Sequence, residues 1–398
     1  MNNGKIKSIR AREILNSRCE FTVEAEVETE KGVFTASVPS GASKGKYEAK
    51  ATESSKAVEN IRKIIAPKLI GQDSTEQENI DKILIKLDNT KDKSNLGANA
   101  ILAVSMACCR AGASSKNLSL FQHIKGIKNW SMPIPCFNIL NGGAHAGNDL
   151  GIQEFMIVPQ EKTFKENLKK GVKIYQALKE ILSEKFGKSA IDLGDEGGFA
   201  PDIKKTEQAL DLIMQASELA GYSEKIKIGL DCATSQFYKN NSYEIEGEKK
   251  SREELLEFYK DIASKYPILF LEDPFAEDDI QGFAEMMKIG KPIENIIADD
   301  LTATNPEKIK MAKEKKLCNG IVLKPNQIGT VTEAVEAGKL AKEFGWKIIV
   351  SHRSGDTCDD FIADLAVGIS ANFIKSGAPA RGERIAKYNR LLRIEETL

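Results

Sequence analysis

Residues 225–231 read KIKIGLD: a short apolar run closes on a carboxylate, Asp231. The same pattern returns at 267–272 (PILFLE, ending on Glu272), 295–299 (NIIAD, Asp299), 319–324 (NGIVLK, Lys324), 346–352 (WKIIVSH, His352) and 371–375 (ANFIK, Lys375). Between neighbours there is room for one helix and two turns. Buried strands that alternate with helices, each ending on a functional side chain, spell a parallel β/α barrel whose strand ends converge on one mouth. A single charged residue after a strand is ordinarily a solvated turn. Six in succession, three acids followed by two lysines and a histidine, point to a site.

Upstream of this repeat the pattern is less regular. PCFNIL and IQEFMIVP read as strands, and TFKENLKKGVKIYQALKEILSEKFG and TEQALDLIMQASELAGY as amphipathic helices. The barrel is therefore expected to open irregularly, as ββαα. Residues 5–39 alternate apolar and polar positions as a sheet with one wet face, with a hairpin at Lys31-Gly32. Residues 54–125 are helical in pattern, and the Ala-rich NLGANAILAVSMACCRAGASS suits a closely packed, buried helix. The fold class is α/β: a smaller α+β domain over 1–127, a proline-bearing linker (KGIKNWSMPIP), and a TIM-like barrel over 133–398.

The chain has 398 residues, 41% of them apolar and 29% charged, with a net charge of −1. That suffices for two cores and gives no reason to expect nucleic acid or an anionic membrane as partner. No apolar stretch is long enough to span a bilayer, and the first residues carry no apolar leader core, so a cytoplasmic protein is expected. Seven cysteines without a CxxC pair speak against disulfides and structural zinc. Cys232 adjoins Asp231, but strand alternation turns it away from the mouth and into the core.

Asp231, Glu272 and Asp299 leave three successive strands. Carboxylates brought together repel one another, and a hard divalent cation with oxygen ligands, Mg²⁺, relieves the conflict. The alternative is a salt-bridge network with Lys324 and Lys375, which leaves one carboxylate over. Near such cations the pKa of Lys324 falls and the amine can serve as a general base; otherwise it simply pairs with Asp299. Glu196 sits in the glycine-rich GDEGGFAP, either a catalytic loop or a plain turn. Glu154, amid apolar neighbours in IQEFMIVP, needs a partner and is a second acid or an orienter of Glu196. His145 lies in the Gly/Asn-rich NGGAHAGND. His123 reads as an ordinary helix-end residue. Arg353 and Ser354, beside His352, could hold a phosphate, and SGASKG at 40–45 could wrap a metal–phosphate group.

Taken together, PSGASKG (39–45), NILNGGAHAGNDLGIQEFMIVP (138–159), GDEGGFAP (194–201), FLEDPFAEDD (270–279), LKPNQIGTVTEA (323–334) and SHRSGDT (351–357) resemble the enolase family, in family order and over almost the whole length. The resemblance implies a reversible dehydration of 2-phospho-D-glycerate to phosphoenolpyruvate in glycolysis and gluconeogenesis. It implies Lys324 as the base at C2, and Glu196 as the acid at the C3 hydroxyl with Glu154 beside it. Asp231, Glu272 and Asp299 are implied as ligands of a first Mg²⁺, and Ser43 as ligand of a second. Arg353 and Ser354 would contact phosphate, and Lys375 the carboxylate. Gln153 and Glu272 would also border the substrate, with His145 on a closing loop and His352 in the active site. A lysine or histidine base beside one or two Mg²⁺ ions is the general pattern of enolase-type sites and is not particular to this chain. A homodimer or higher assembly follows from the same likeness, with Glu24 and Arg393 at positions that pair across the family's interface.

Four departures stand out. NSRCEFT (16–22) replaces the family's DSRGNPT. About ten residues are lacking after Glu48. Pro325 follows Lys324 where valine is usual, with Gln236 in place of a glutamate, and the chain stops soon after RIEE. They leave room for a related enzyme with weak activity or a different carboxylate substrate; a third reading is a non-catalytic scaffold. Turnover of 2-phosphoglycerate separates the related enzyme, and indifference to loss of Lys324 the scaffold.

Overall fold

A computed structural model describes residues 4–42, 45–124 and 130–398. The chain opens with a three-stranded antiparallel meander: β1 (Ser8–Leu15), β2 (Phe21–Thr29) and β3 (Gly32–Ser37), with Ser8 opposite Glu28 and Leu15 opposite Phe21. The hairpin turns at Glu30-Lys31, one residue earlier than the Lys31-Gly32 expected, and Gly32 opens β3. Val23, Ala25 and Val27 bury the inner face of β2 against the helix Ala98–Ser115, whose small side chains permit that approach and which is itself buried along most of its length. A helix from Ser54, with one π turn at Ile61–Ile65, and the helix Gln77–Asp88 complete this layer.

The second part is a closed barrel. Its strands are β4 (Ile134–Asn141), β5 (Glu154–Pro159), β6 (Ile226–Asp231), then, past a small surface sheet of β7 (Tyr238–Lys239), β8 (Ser242–Ile245) and β9 (Glu248–Lys250), β10 (Ile268–Glu272), β11 (Ile296–Ala298), β12 (Gly320–Leu323), β13 (Lys347–Ser351) and β14 (Phe373–Lys375). The ring runs β4-β5-β6-β10-β11-β12-β13-β14 and closes on β4. Every pairing is parallel except those of β5, which runs against both neighbours. The helices Phe164–Phe186 and Thr206–Leu219 follow it, so the irregular ββαα opening is present. Ile134 and Pro135, assigned to the linker from sequence, belong to β4, and the linker's residues 125–129 lie outside the described residues.

The barrel interior is filled by Cys136, Met156, Val158, Phe270, Ile297, Val322, Ile349 and Phe373, a core separate from the one outside the barrel. β6 contributes Gly229 at this level. A Cβ there would lie 2.2 Å from Phe270, so the phenyl ring takes the place that β6 leaves open.

The two parts are locked together by buried polar contacts. Asp81, on the helix Gln77–Asp88, accepts from the Thr332 N–H (2.9 Å) and hydroxyl (2.6 Å) at the start of the barrel helix Val331–Glu343, and from Ser105 Oγ (2.6 Å). Lys93 pairs with Glu333 on the same barrel helix at 2.9 Å.

Candidate active site

The apolar plug sets the address of the polar residues. Side chains alternate across a strand, so the position two residues nearer the mouth shares the inward face. Those positions are Asn138 on β4, Asp231 on β6, Glu272 on β10, Asp299 after β11, Lys324 after β12, Ser351 on β13 and Lys375 on β14. β5 points the other way, so its first residue, Glu154, reaches the mouth. It stands opposite Asp231 on β6 and Asn141 on β4. His352 lies one step beyond this level, with Ser351 in it. Of these, Glu154, Asp231, Asp299, Lys324, Ser351, His352 and Lys375, together with Glu196, Arg353 and Ser354, line a cavity of about 30 Å³, room for about one water.

Charge is concentrated here. Lys375 Nζ lies 2.8 and 2.9 Å from the Glu272 oxygens, 3.1 Å from Asp231 and 3.3 Å from Glu154. Lys324 pairs with Asp299, whose other oxygen accepts from Gln327 Nε2 at 2.9 Å. Both lysines therefore stand in ion pairs, as the salt-bridge reading required. Burial, then Asp231, pushes the Glu272 carboxyl well above the usual range, and burial, then Glu196, does the same to Glu154. Burial opposes charge on Lys375, but Asp231, Glu154 and Glu272 outweigh it and raise its pKa well above an ordinary lysine's. For Lys324 burial is likewise outweighed, chiefly by Asp299, and its pKa rises. Lys324 is a cation here; the uncharged amine expected from the sequence requires positive charge brought in beside it.

Glu196 is delivered by a loop that needs its glycines. Gly197 has φ +84°, and a Cβ on Gly198 would meet Asn141 Oδ1 at 2.0 Å. The Glu196 carboxylate accepts from Asn138 Nδ2 at 3.0 Å and lies 3.2 Å from His352 Nε2. Arg384, always a donor, reaches His352 Nδ1 at 2.7 Å, which leaves the ring proton on Nε2, toward Glu196. Burial lowers the His352 pKa to about 4 against the pull of Glu196, so the imidazole is neutral. Arg384 also donates to the carbonyls of Arg353 (2.6 Å), Ser354 (2.6 Å) and Asp195 (2.9 Å), fixing this rim.

The first domain supplies the opposite wall. Arg353 makes two 3.0 Å bonds to the Glu48 carboxylate, and Ser354 Oγ accepts from the Ala42 N–H at 2.7 Å. Ser43 lies outside the described residues. His145 enters through its backbone in the short turn Gly143–His145, and its side chain lies outside the described part. Gln153 Nε2 lies 3.4 Å from Asp231, and Gln153 Oε1 accepts from Gln236, which gives that unusual glutamine a place. Pro325 is the first residue of the short helix Pro325–Ile328, with Lys324 as its N-cap, a position where a missing N–H costs nothing. Cys19 holds the glycine position of its turn at φ +59°, and Arg18 still pairs with Asp195. The segment that follows Glu48 is stitched to the helix Ala98–Ser115, with Thr52 bonded to Asn99 through both its N–H (3.0 Å) and its carbonyl (2.9 Å).

Sequence reasoning missed Asn138, Gln327, Asp273, Arg384 and the role of Glu48. Asn138 was within reach, since it stands two residues past Cys136 in a strand already read as such. Asp273 accepts from the backbone N–H groups of Asp299 (2.9 Å) and Asp300 (2.8 Å) and so shapes the end of β11. Among the described residues, the carboxylates that crowd within 4.8 Å of one another are Asp273, Asp299 and Asp300, rather than the expected trio. Asp231 and Glu272 are instead gathered on Lys375. A larger cleft of about 210 Å³, bordered by Cys109, His123 and Val335, receives none of the strand-end residues.

Comparison with known proteins agrees with this architecture. Residues 6–124 match the family described as "Enolase, N-terminal domain", and residues 129–398 match "Enolase, C-terminal TIM barrel domain". Similar proteins include "Enolase" of Mastigamoeba balamuthi, 48% identical over 99% of this chain and 96% of that protein. "Enolase" of Methanocaldococcus jannaschii is 47% identical and that of Methanopyrus kandleri 49%, each over the same shares. With both domains matched and nearly the full length covered, the chain belongs to the enolase family.

Proposed function

We infer that the protein is a hydro-lyase that interconverts 2-phospho-D-glycerate and phosphoenolpyruvate. Family membership across both domains carries the reading, and it is supported by the ionisable layer at the barrel mouth. Lys324 takes the proton from C2. Glu196, backed by neutral His352 and Asn138, gives a proton to the departing C3 hydroxyl, with Glu154 nearby. Lys375 faces the substrate carboxylate, where negative charge grows as the C–H bond breaks. Arg353 and Ser354 receive the phosphate, bordered by Gln153, and the loop carrying His145 excludes water.

Asp231, Glu272 and Asp299 suit Mg²⁺: the donors are all oxygen, and Glu272 is held far above its usual pKa by burial and by Asp231. Ser43 would contribute to a second site shared with the phosphate. Bound Mg²⁺ supplies positive charge against the developing enolate-like carboxylate. Lys375 must then leave its carboxylate nest to meet the substrate.

The test is the growth of phosphoenolpyruvate absorbance from 2-phosphoglycerate by purified protein. Absence of Mg²⁺-dependent turnover would sink the reading. We also propose a cytoplasmic location, a domain division between residues 127 and 133, and a homodimer or larger ring. Glu24, bonded within its own sheet to Arg12, would meet the partner's surface. A monomeric mass by light scattering at micromolar concentration would contradict the assembly. Among the described residues no helix is long and apolar enough to cross a membrane.

A further inference from the structure

Glu48 closes the loop Gly45–Glu48 and is among the more embedded carboxylates of the first domain, its side chain 9% exposed. Its two oxygens take both terminal nitrogens of Arg353, at 3.0 Å each, in an end-on fork. The same carboxylate accepts from the Gly45 N–H at 3.1 Å and lies 3.5 Å from Gln327 Nε2. Gln327 Nε2 in turn donates to Asp299, and the Gln327 carbonyl accepts from the Ala49 N–H at 2.8 Å. Around Glu48 the short loop is pinned outward as well. Tyr47 OH and Lys46 Nζ reach Asp278 at 3.1 and 3.2 Å, and Lys308 Nζ stands 3.1 Å over the Tyr47 ring. One carboxylate thus joins the loop of the first domain to Arg353 and, through Gln327, to Asp299.

We propose that Glu48 is a positioning residue: it sets the orientation in which the Arg353 guanidinium receives the substrate phosphate, and couples it to the seating of loop Gly45–Glu48. This deepens the functional reading above and rests on it. The physical argument is one of alternatives. A guanidinium buried as deeply as Arg353 does not stay without a counter-charge. After Glu48, the carboxylates that act on it are Asp299 and Asp300. Without Glu48 the guanidinium would turn toward them, away from the phosphate position and onto a group assigned to Mg²⁺. A mere competitor for Arg353 would do the reverse, and its removal would tighten phosphate binding.

Glu48→Gln keeps the shape and removes the charge. Its KM for 2-phosphoglycerate should rise about 10- to 100-fold, with kcat within about threefold, as for other groups that orient a binding residue. Inhibition by D-glycerate, which lacks the phosphate, should be unchanged. Glu48→Asp, shorter but charged, should recover part of the loss, and it carries the test alone if the glutamine variant fails to fold. An unchanged or lower KM, a fall in kcat at constant KM, or equal weakening of D-glycerate would overturn the assignment. Should the unaltered protein show no turnover, the functional reading fails. Inorganic phosphate titrated calorimetrically into the Mg²⁺-loaded proteins then decides separately: weaker binding by the variant supports Glu48 as positioner, and equal or tighter binding refutes it.

Discussion

Lys324 illustrates how little a residue's chemistry is fixed by its identity. Its neighbours here hold it charged, with Asp299 as counter-ion. In the proposed reaction, work as a base would require that balance to be tipped by cations held at Asp231, Glu272 and Asp299. Lys324→Ala should lower kcat by about 10²- to 10⁴-fold, the usual weight of a general base, with exchange of the C2 proton lost in parallel. Retained proton exchange in that variant would remove Lys324 from the role. His352 makes a second, independent prediction. Its pKa falls from 6.5 in the unfolded chain to about 4 in the fold. Between those values the unfolded chain binds the extra proton, so the stability from this residue is full above pH 6.5 and is lost as pH falls toward 4. The loss amounts to ~3 kcal/mol by the lower limit. Denaturant titrations of His352→Gln should show a flatter decline over that window than the unaltered protein; parallel curves would mean that the imidazole is not held neutral.

At the scale of the strand, the sequence was legible where a short apolar run ends on a single polar residue. The runs ending at Asp231, Glu272 and Lys375 close their strands on those residues, and those ending at Asp299 and Lys324 deliver them one position later. What escaped was anything set by direction or by long-range contact. That β5 runs backwards cannot be read from IQEFMIVP, and without it Glu154 is only a carboxylate in an apolar strand. Gln327 and Arg384 matter through partners far off in sequence and carry no local mark. Gly229 belongs to this scale too: it reads as a weak spot in KIKIGLD, but the closed barrel shows it making room for Phe270. Gly229→Ala should destabilise by about 1–3 kcal/mol through overpacking, visible as a lowered melting temperature. Pairing it with Phe270→Leu should restore part of the loss, and no recovery would mean that the ring is not what fills the gap.

Across the whole molecule, the two-part α/β plan follows from composition and periodicity, while the way the parts engage does not. Asp81, Lys93 and Glu48 look like ordinary surface charges in sequence, and each is a buried contact between the first domain and the barrel. Asp81→Ala leaves the donors of Thr332 and Ser105 without their acceptor and should cost about 1–3 kcal/mol. Calorimetry should record this as a downward shift of the main transition; an unchanged transition would show that this strut is not needed for docking.

The hydrocarbon stopper beneath the mouth has a bearing on proton traffic. Cys136, Phe270, Ile349, Phe373 and their companions seal the floor. Among the described residues this layer is wholly apolar, so a proton taken from the substrate in the proposed reaction would leave on the mouth side rather than through the floor. If the proposed proton transfer at C2 holds, the escape of a deuteron taken from that carbon to bulk water would then report on the opening of the mouth rather than on the breaking of the bond.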